Sequence, residues 1–190
     1  MWRALAVSLL TVVQPAVKLA IAPGPGNAIH LEVDKTGLWS GRKHDFTFDR
    51  YWGTVLYDRD NPTRSQVQFT VEAASIVSHD TWVSESDRKK VIGYALGSHV
   101  LDAERYPEIA FASSRITPAG AGAYDVEGML TIRGAPKPVH VTVQPDFSFQ
   151  GTALLRMSDW GIKPPSAALG LIGTKDEMRF SFTLKATPTR

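Results

Sequence analysis

The chain contains no cysteine. Disulfide frameworks, thiolate metal sites and thiol nucleophiles are excluded together, although this does not fix the compartment. An excess of one charge is also missing. Lys and Arg number 21 against 19 Asp and Glu, the net charge is +2, and no basic run exceeds Arg88-Lys89-Lys90. A nucleic-acid surface needs a concentrated basic stripe, so no nucleic-acid partner is expected. There is no strand–helix–strand alternation and no repeat of fixed length, which removes doubly wound and solenoid folds. His30, His79, His99 and His140 are scattered without H-x-x-x-H or H-E-x-x-H spacing, so no metal site is expected. Ser40-Gly41 and Ser158-Asp159 lack the Gly-x-Ser-x-Gly setting of a serine hydrolase. Gly120-Ala121-Gly122 reads as a hairpin turn, without the strand-to-helix setting of a dinucleotide loop.

Long apolar runs are scarce too. Arg3 precedes an apolar stretch from Ala4 to Val13, which Gln14, Pro15 and Lys18 end well short of the ~20 residues of a spanning helix. Residues 1–22 therefore read as a signal peptide with Ala20-Ile21-Ala22 as the cleavage signature, although Pro23 is a poor residue to follow a scissile bond. The alternative is an uncleaved amphiphilic tail. On the export reading the protein is periplasmic or secreted, residues 23–27 are a linker, 28–187 one β-barrel domain and 188–190 a tail.

What the sequence has in quantity is period-2 alternation. Tyr124, Val126, Gly128, Leu130 and Ile132 alternate with Asp125, Glu127, Met129 and Thr131; Gly134 to Pro138 interrupts the pattern, and Val139, Val141 and Val143 resume it. Two such segments around a Gly/Pro turn predict an antiparallel hairpin with one apolar face, which must be buried against more sheet or against what that sheet encloses. Ile29/Leu31/Val33, Phe46/Phe48, Tyr51 to Tyr57, Val67/Phe69/Val71, Ile109/Phe111, Phe147 to Met157 and Met178/Phe180/Phe182/Leu184 repeat the signal. Ser84 and Asp87 have capping-box spacing ahead of Val91, Tyr94, Ala95 and Ser98, with Gly97 as a stop, and predict one short helix. Gly161 to Gly170 predicts a loop and a helical turn before the last strand. The fold class expected is mainly β: an antiparallel, lipocalin-like barrel of about eight strands with one short helix between strands. A barrel of that size is either filled by its own side chains or holds one small ligand.

Leu101-Asp102-Ala103-Glu104-Arg105-Tyr106-Pro107-Glu108-Ile109-Ala110-Phe111 resembles the segment of the YceI-like family that joins its helix to the next strand. The hairpin around Gly134 with its Lys-Pro-Val strand start, Ser158-Asp159-Trp160-Gly161-Ile162 and Asp176-Glu177 also resemble that family, in order, over roughly Ile29 to Ala186. Lys43-His44-Asp45-Phe46 and Lys163-Pro164 look like a subgroup variation. The resemblance implies a usually exported lipocalin-like barrel whose lumen binds a polyisoprenoid, such as a quinone tail or a prenyl pyrophosphate. It implies no catalytic residues and no cofactor, and leaves room for a membrane donor or acceptor protein and for a homodimer.

On that reading the ligand-binding residues are Val67, Phe69, Val71, Ile109, Phe111, Val126, Leu130, Val139, Val141, Phe180 and Phe182, joined at the mouth by Trp39, His44 and Trp160. By periodicity alone the same strand faces are an ordinary filled core. His44 and Asp45 are adjacent on a strand, point to opposite faces and do not share one ion easily. His44 reads as a surface or satisfied core histidine, or as a mouth group whose neutral imidazole bonds a quinone carbonyl. Trp39, Trp52, Trp82 and Trp160 suit a rim, most of them as core plugs. Arg88-Lys89-Lys90 reads as a solvated helix face, with attraction of a pyrophosphate head or an anionic lipid surface as the alternative. Two other functions stay open: an enzyme acting on a lipid or quinone near His44, and an exported structural or stress module with a filled barrel.

Overall fold

In the computed structural model, which describes residues 16–145 and 148–189, the hairpin turn is tighter than its sequence suggests. Arg133 and Gly134 alone make it, both with left-handed backbone (φ 52° and 71°), and strand pairing resumes at Ile132 opposite Ala135. Two residues at positive φ are what a short hairpin demands, and glycine supplies one without penalty. Pro136 and Pro138 are therefore inside a strand rather than in the turn. They are tolerated because the next strand along joins this one only at Thr142–Pro145, so the edge on which a proline lacks its donor is open there.

The strands in order are β1 (Val17–Ile21), β2 (Ala28–Gly37), β3 (Lys43–Phe48), β4 (Tyr51–Tyr57), β5 (Gln66–Glu72), β6 (Ile76–Ser78), β7 (Glu108–Gly120), β8 (Ala123–Ile132), β9 (Ala135–Pro145), β10 (Phe149–Arg156), β11 (Ser166–Ala167), β12 (Ile172–Leu184) and β13 (Ala186–Pro188). They form one antiparallel sheet in the order β13-β1-β4-β5-β7-β8-β9-β10-β12-β2-β3-β6, with β11 beside β12. The count among the described residues is thirteen rather than the roughly eight expected. β1, β6, β11 and β13 have five residues or fewer, too short to show a period, and two longer strands are split by bends. β3 and β4 are separated only by Asp49-Arg50, and β5 and β6 by the 3-10 turn Ala73–Ser75. β3 bonds β6 while β4 bonds β5, so the chain draws the β6 end of the sheet back toward β5. The sheet curls strongly into a half-barrel around an apolar interior.

Of the segment read as a leader, Met1 to Pro15 lies outside the described residues. Its last part forms β1, which pairs with β4 over five residues and buries Ile21. Cleavage after Ala22 would remove this strand with the leader. β10 begins at Phe149, and Phe147 is likewise outside the described residues.

The one α-helix among the described residues, α1 (Glu85–Leu96), has the caps read from sequence: Ser84 Oγ accepts from the Asp87 N–H at 3.1 Å, and Gly97 ends the helix. None of its residues is fully buried, so it rests on the sheet rather than inside it. At the same end, β9 and β10 splay apart and the 3-10 turn Met157–Trp160 fills the gap. Trp160 is buried and donates its indole N–H to the Leu130 C=O at 3.3 Å. Asp176 fixes that turn by accepting from the Ser158 N–H (2.8 Å) and hydroxyl (2.5 Å). Of the four tryptophans named as rim or plug groups, only Trp160 is a core plug. Trp39 and Trp52 are exposed, and Trp82 is half-buried.

Candidate functional site: the apolar cavity and its polar corner

Inward-facing residues of the curled sheet do not meet at its centre. They enclose a cavity of about 610 Å³ with an almost wholly apolar lining. Packed cores leave few voids larger than one water molecule, whose liquid share is ~30 Å³, so the interior is not filled by its own side chains. The volume falls within the ~300–1,000 Å³ of small-molecule pockets.

Val67 and Phe69 on β5, Ile109 and Phe111 on β7, Val126 and Leu130 on β8, Val139 and Val141 on β9, and Phe180 and Phe182 on β12 all line it. Trp39 and His44 do as well. Val71 and Trp160 do not. Val71 shares the parity of Val67 and Phe69, but it lies next to the bend at Ala73–Ser75 and packs into the core. Lining residues that the sequence reading did not name include Leu31, Val33 and Lys35 of β2, Phe46 and Phe48 of β3, and Val91, Tyr94 and Ala95 of α1. The β2 and β3 residues carried the same alternation, and Val91, Tyr94 and Ala95 carried the helical spacing, which predicts a helix but not which cavity its face covers.

The rings of three lumen phenylalanines lie against glycines of a neighbouring strand. A methyl group on Gly53 would come within 2.6 Å of the Phe69 ring, and one on Gly128 or Gly151 within 2.5 Å of the rings of Phe111 or Phe182. Absence of a Cβ there keeps the rings out of the cavity centre.

Exposure locates the opening. Among the lining residues only Trp39, Lys90, Tyr94, Ser166 and Ala167 are exposed, and all belong to the end of the sheet where α1 and the turns after β2 and before β12 lie. The polar corner is at this same end. His44 is buried, and its Nδ1 lies 2.5 Å from Oδ2 of Asp80, which is fully buried. Asp80 Oδ1 accepts from the Asp45 N–H at 2.9 Å, and the Asp80 C=O accepts from Arg88 at 3.0 Å. Burial pushes the His44 imidazole below its ordinary pKa of 6.5, against the pull of Asp80, and the positive charge of Lys35 adds to the depression. Lys35 is buried too, and burial lowers its pKa while Asp80 opposes the shift; its ammonium lies 5.3 Å from the centre of the Trp39 ring. Phe46 and Trp82 flank the imidazole at 5.6 and 5.4 Å. A neutral imidazole that donates Nδ1–H to a carboxylate keeps Nε2 as an acceptor. With Nδ1 donating to Asp80, His44 is a satisfied histidine, and in that neutral tautomer its Nε2 is an acceptor for a hydroxyl hydrogen. Asp45, on the opposite face of β3, approaches His30 at 3.7 Å instead.

Comparison with known proteins agrees with this architecture. A UPF0312 protein of Pseudomonas putida (strain W619) is 31% identical over 134 residues, a stretch that covers 64% of this chain and 65% of that protein. The crystal structure of Burkholderia cenocepacia BcnA superposes with a TM-score of 0.65 at 24% identity, covering 82% of this chain and 94% of that one. A Campylobacter jejuni YCEI protein gives 0.60 at 14% identity over 76% and 84%. These two show the fold. The model of the YceI-like domain matches residues 26–186, and the chain belongs to that family.

Proposed function

We propose that the protein binds an isoprenoid lipid, of the quinone or polyprenyl phosphate type, and stores or carries it with the chain in the apolar cavity. The observation that carries this reading is the cavity itself: about 610 Å³, apolar along the sheet, and open at one end. At ~0.8 kcal/mol per buried methylene, a five-carbon isoprene unit gains about 3–4 kcal/mol without needing any specific polar contact. Two to four buried units offset the ~4–15 kcal/mol cost of association. Lys35 and His44 lie at the open end, so the polar head stays near the mouth and the tail runs inward. The Nε2 acceptor of His44 suits a head-group hydroxyl, and the buried Lys35 ammonium, a donor, suits a carbonyl or phosphate oxygen of the head. Export to the periplasm or beyond belongs to the same proposal and rests on Arg3 and the apolar stretch Ala4 to Val13.

Organic extraction of purified, folded protein tests it: an apolar compound should be recovered in near-stoichiometric amount. Extracts that stay empty across expression hosts would contradict the proposal. A second reading draws on the Asp80–His44 pair, which has the arrangement of an oriented general base facing an apolar chamber. If it were an enzyme acting on a lipid hydroquinone, His44→Gln would abolish turnover and leave ligand affinity unchanged. On the binding reading there is no turnover, and the same change alters affinity.

A further inference from the structure

We propose that the rim of the cavity mouth docks on an anionic phospholipid bilayer. Two turns form that rim, residues 38–42 between β2 and β3 and residues 168–171 before β12, and they are tied together where the Leu38 N–H donates to the Leu171 C=O at 2.9 Å. Leu169, Leu38 and Leu171 are 107%, 74% and 58% exposed, three of the four most exposed large apolar side chains among the described residues. Ala168 and Leu169 hold left-handed backbone (φ 49° and 57°), a conformation disfavoured for residues with a Cβ, and this turn projects Leu169 into solvent. The neighbours on both sides, Trp39, Ala167 and Ile172, line the cavity, so the leucines stand at its opening.

The charge around the rim fits the same partner. A small cleft beside the first turn is lined by Lys35, Arg42, Lys43 and Lys175, with Asp34 as its one carboxylate. Lys43 pairs with Glu32, and Lys175 with Asp34 at 3.1 Å. Among the described residues Arg42 forms no ion pair with a carboxylate, and it lies 5.4 Å from the centre of the Trp82 ring. Leucines on turn tips within a cationic surround make a shallow anchor for the head-group region of an anionic leaflet. A mouth seated there lets an apolar chain pass between bilayer and cavity without crossing water. That consequence rests on the lipid-binding reading, but the docking does not.

Flotation of the full chain with phosphatidylcholine vesicles, with and without phosphatidylglycerol, tests the proposal. The wild type should float with the anionic vesicles and be released as salt rises. The exposed-site variant L38S/L169S/L171S should bind about tenfold more weakly or less, and Arg42→Glu about fivefold more weakly or less, each with an unchanged circular dichroism spectrum. A wild type that does not float, or a triple variant that floats equally well, overturns it. So does a dimer that the triple variant splits into monomers while vesicles capture neither form. Binding of the apolar fluorophore N-phenyl-1-naphthylamine separates the two readings: the triple variant should bind it like the wild type, whereas docking without any fluorophore binding would sink the lumen reading alone.

Discussion

Removal of the Asp80 carboxylate is the sharpest single perturbation of the polar corner. Its two oxygens satisfy two donors, His44 Nδ1–H at 2.5 Å and the Asp45 N–H at 2.9 Å, with no exposure of the side chain. Asp80→Ala strands both donors. Hydrogen bonds to a charged group are worth ~1.5–3 kcal/mol each, so stranding both donors costs about 3–5 kcal/mol. At ~2–4 °C per kcal/mol for a domain of this size, the melting temperature should fall by about 6–20 °C. Replacing both partners, His44→Phe with Asp80→Leu, leaves one orphan donor rather than two and fills the space with apolar atoms, so this double variant should be more stable than Asp80→Ala alone. Urea unfolding at constant slope reads the difference as a shift in midpoint. A loss below about 1 kcal/mol for Asp80→Ala, or a double variant less stable than the single one, would refute the reasoning.

Three further outcomes follow from the same geometry. Asp80→Asn offers His44 an amide N–H in place of a carboxylate, which turns Nδ1 into the acceptor and Nε2 into the donor; affinity should shift from a hydroquinone toward its quinone, measured by competition for the cavity, and an unchanged preference would show that His44 does not touch the head. Gly151→Ala pushes the Phe182 ring inward, so cavity binding should weaken while stability falls by less than ~2 kcal/mol, because the ring has empty space to enter and the Thr142 C=O, 3.0 Å from the added methyl, has to give only slightly; a large stability loss with intact binding would contradict this. His44 also sets a pH dependence. Its folded pKa is depressed below 6.5, so unfolding takes up a proton, and its stabilising contribution is present above pH 6.5 and lost as pH falls. The urea midpoint should therefore drop on acidification through that window, and less so in His44→Phe. Asp34, held near 2 by Arg179, adds a separate loss only as pH falls below its ordinary 3.8.

Local signals told most where one strand or helix end decides its own structure. The Ser84 cap and Gly97 stop, the span Tyr51–Tyr57 and the inward set Phe69, Phe111, Val126 and Phe182 were all readable because periodicity and capping are short-range. Parity also set His44 and Asp45 on opposite faces of their strand. Asp80 was not readable as the partner of His44. It lies in an irregular stretch 36 residues away, and only the pairing of β3 with β6 brings them together. Pro136 and Pro138 looked like turn residues because their tolerance depends on a missing neighbour, a fact of sheet topology. Val71 was lost to a bend that its own alternation does not reveal.

The central claim is that the cavity holds an isoprenoid, and native mass spectrometry of the protein taken from its own host tests it most directly. The account predicts a complex heavier than the chain by one apolar ligand whose mass fits a series of five-carbon units, released by collisional activation. A folded protein that carries no added mass, from every growth condition, would contradict it.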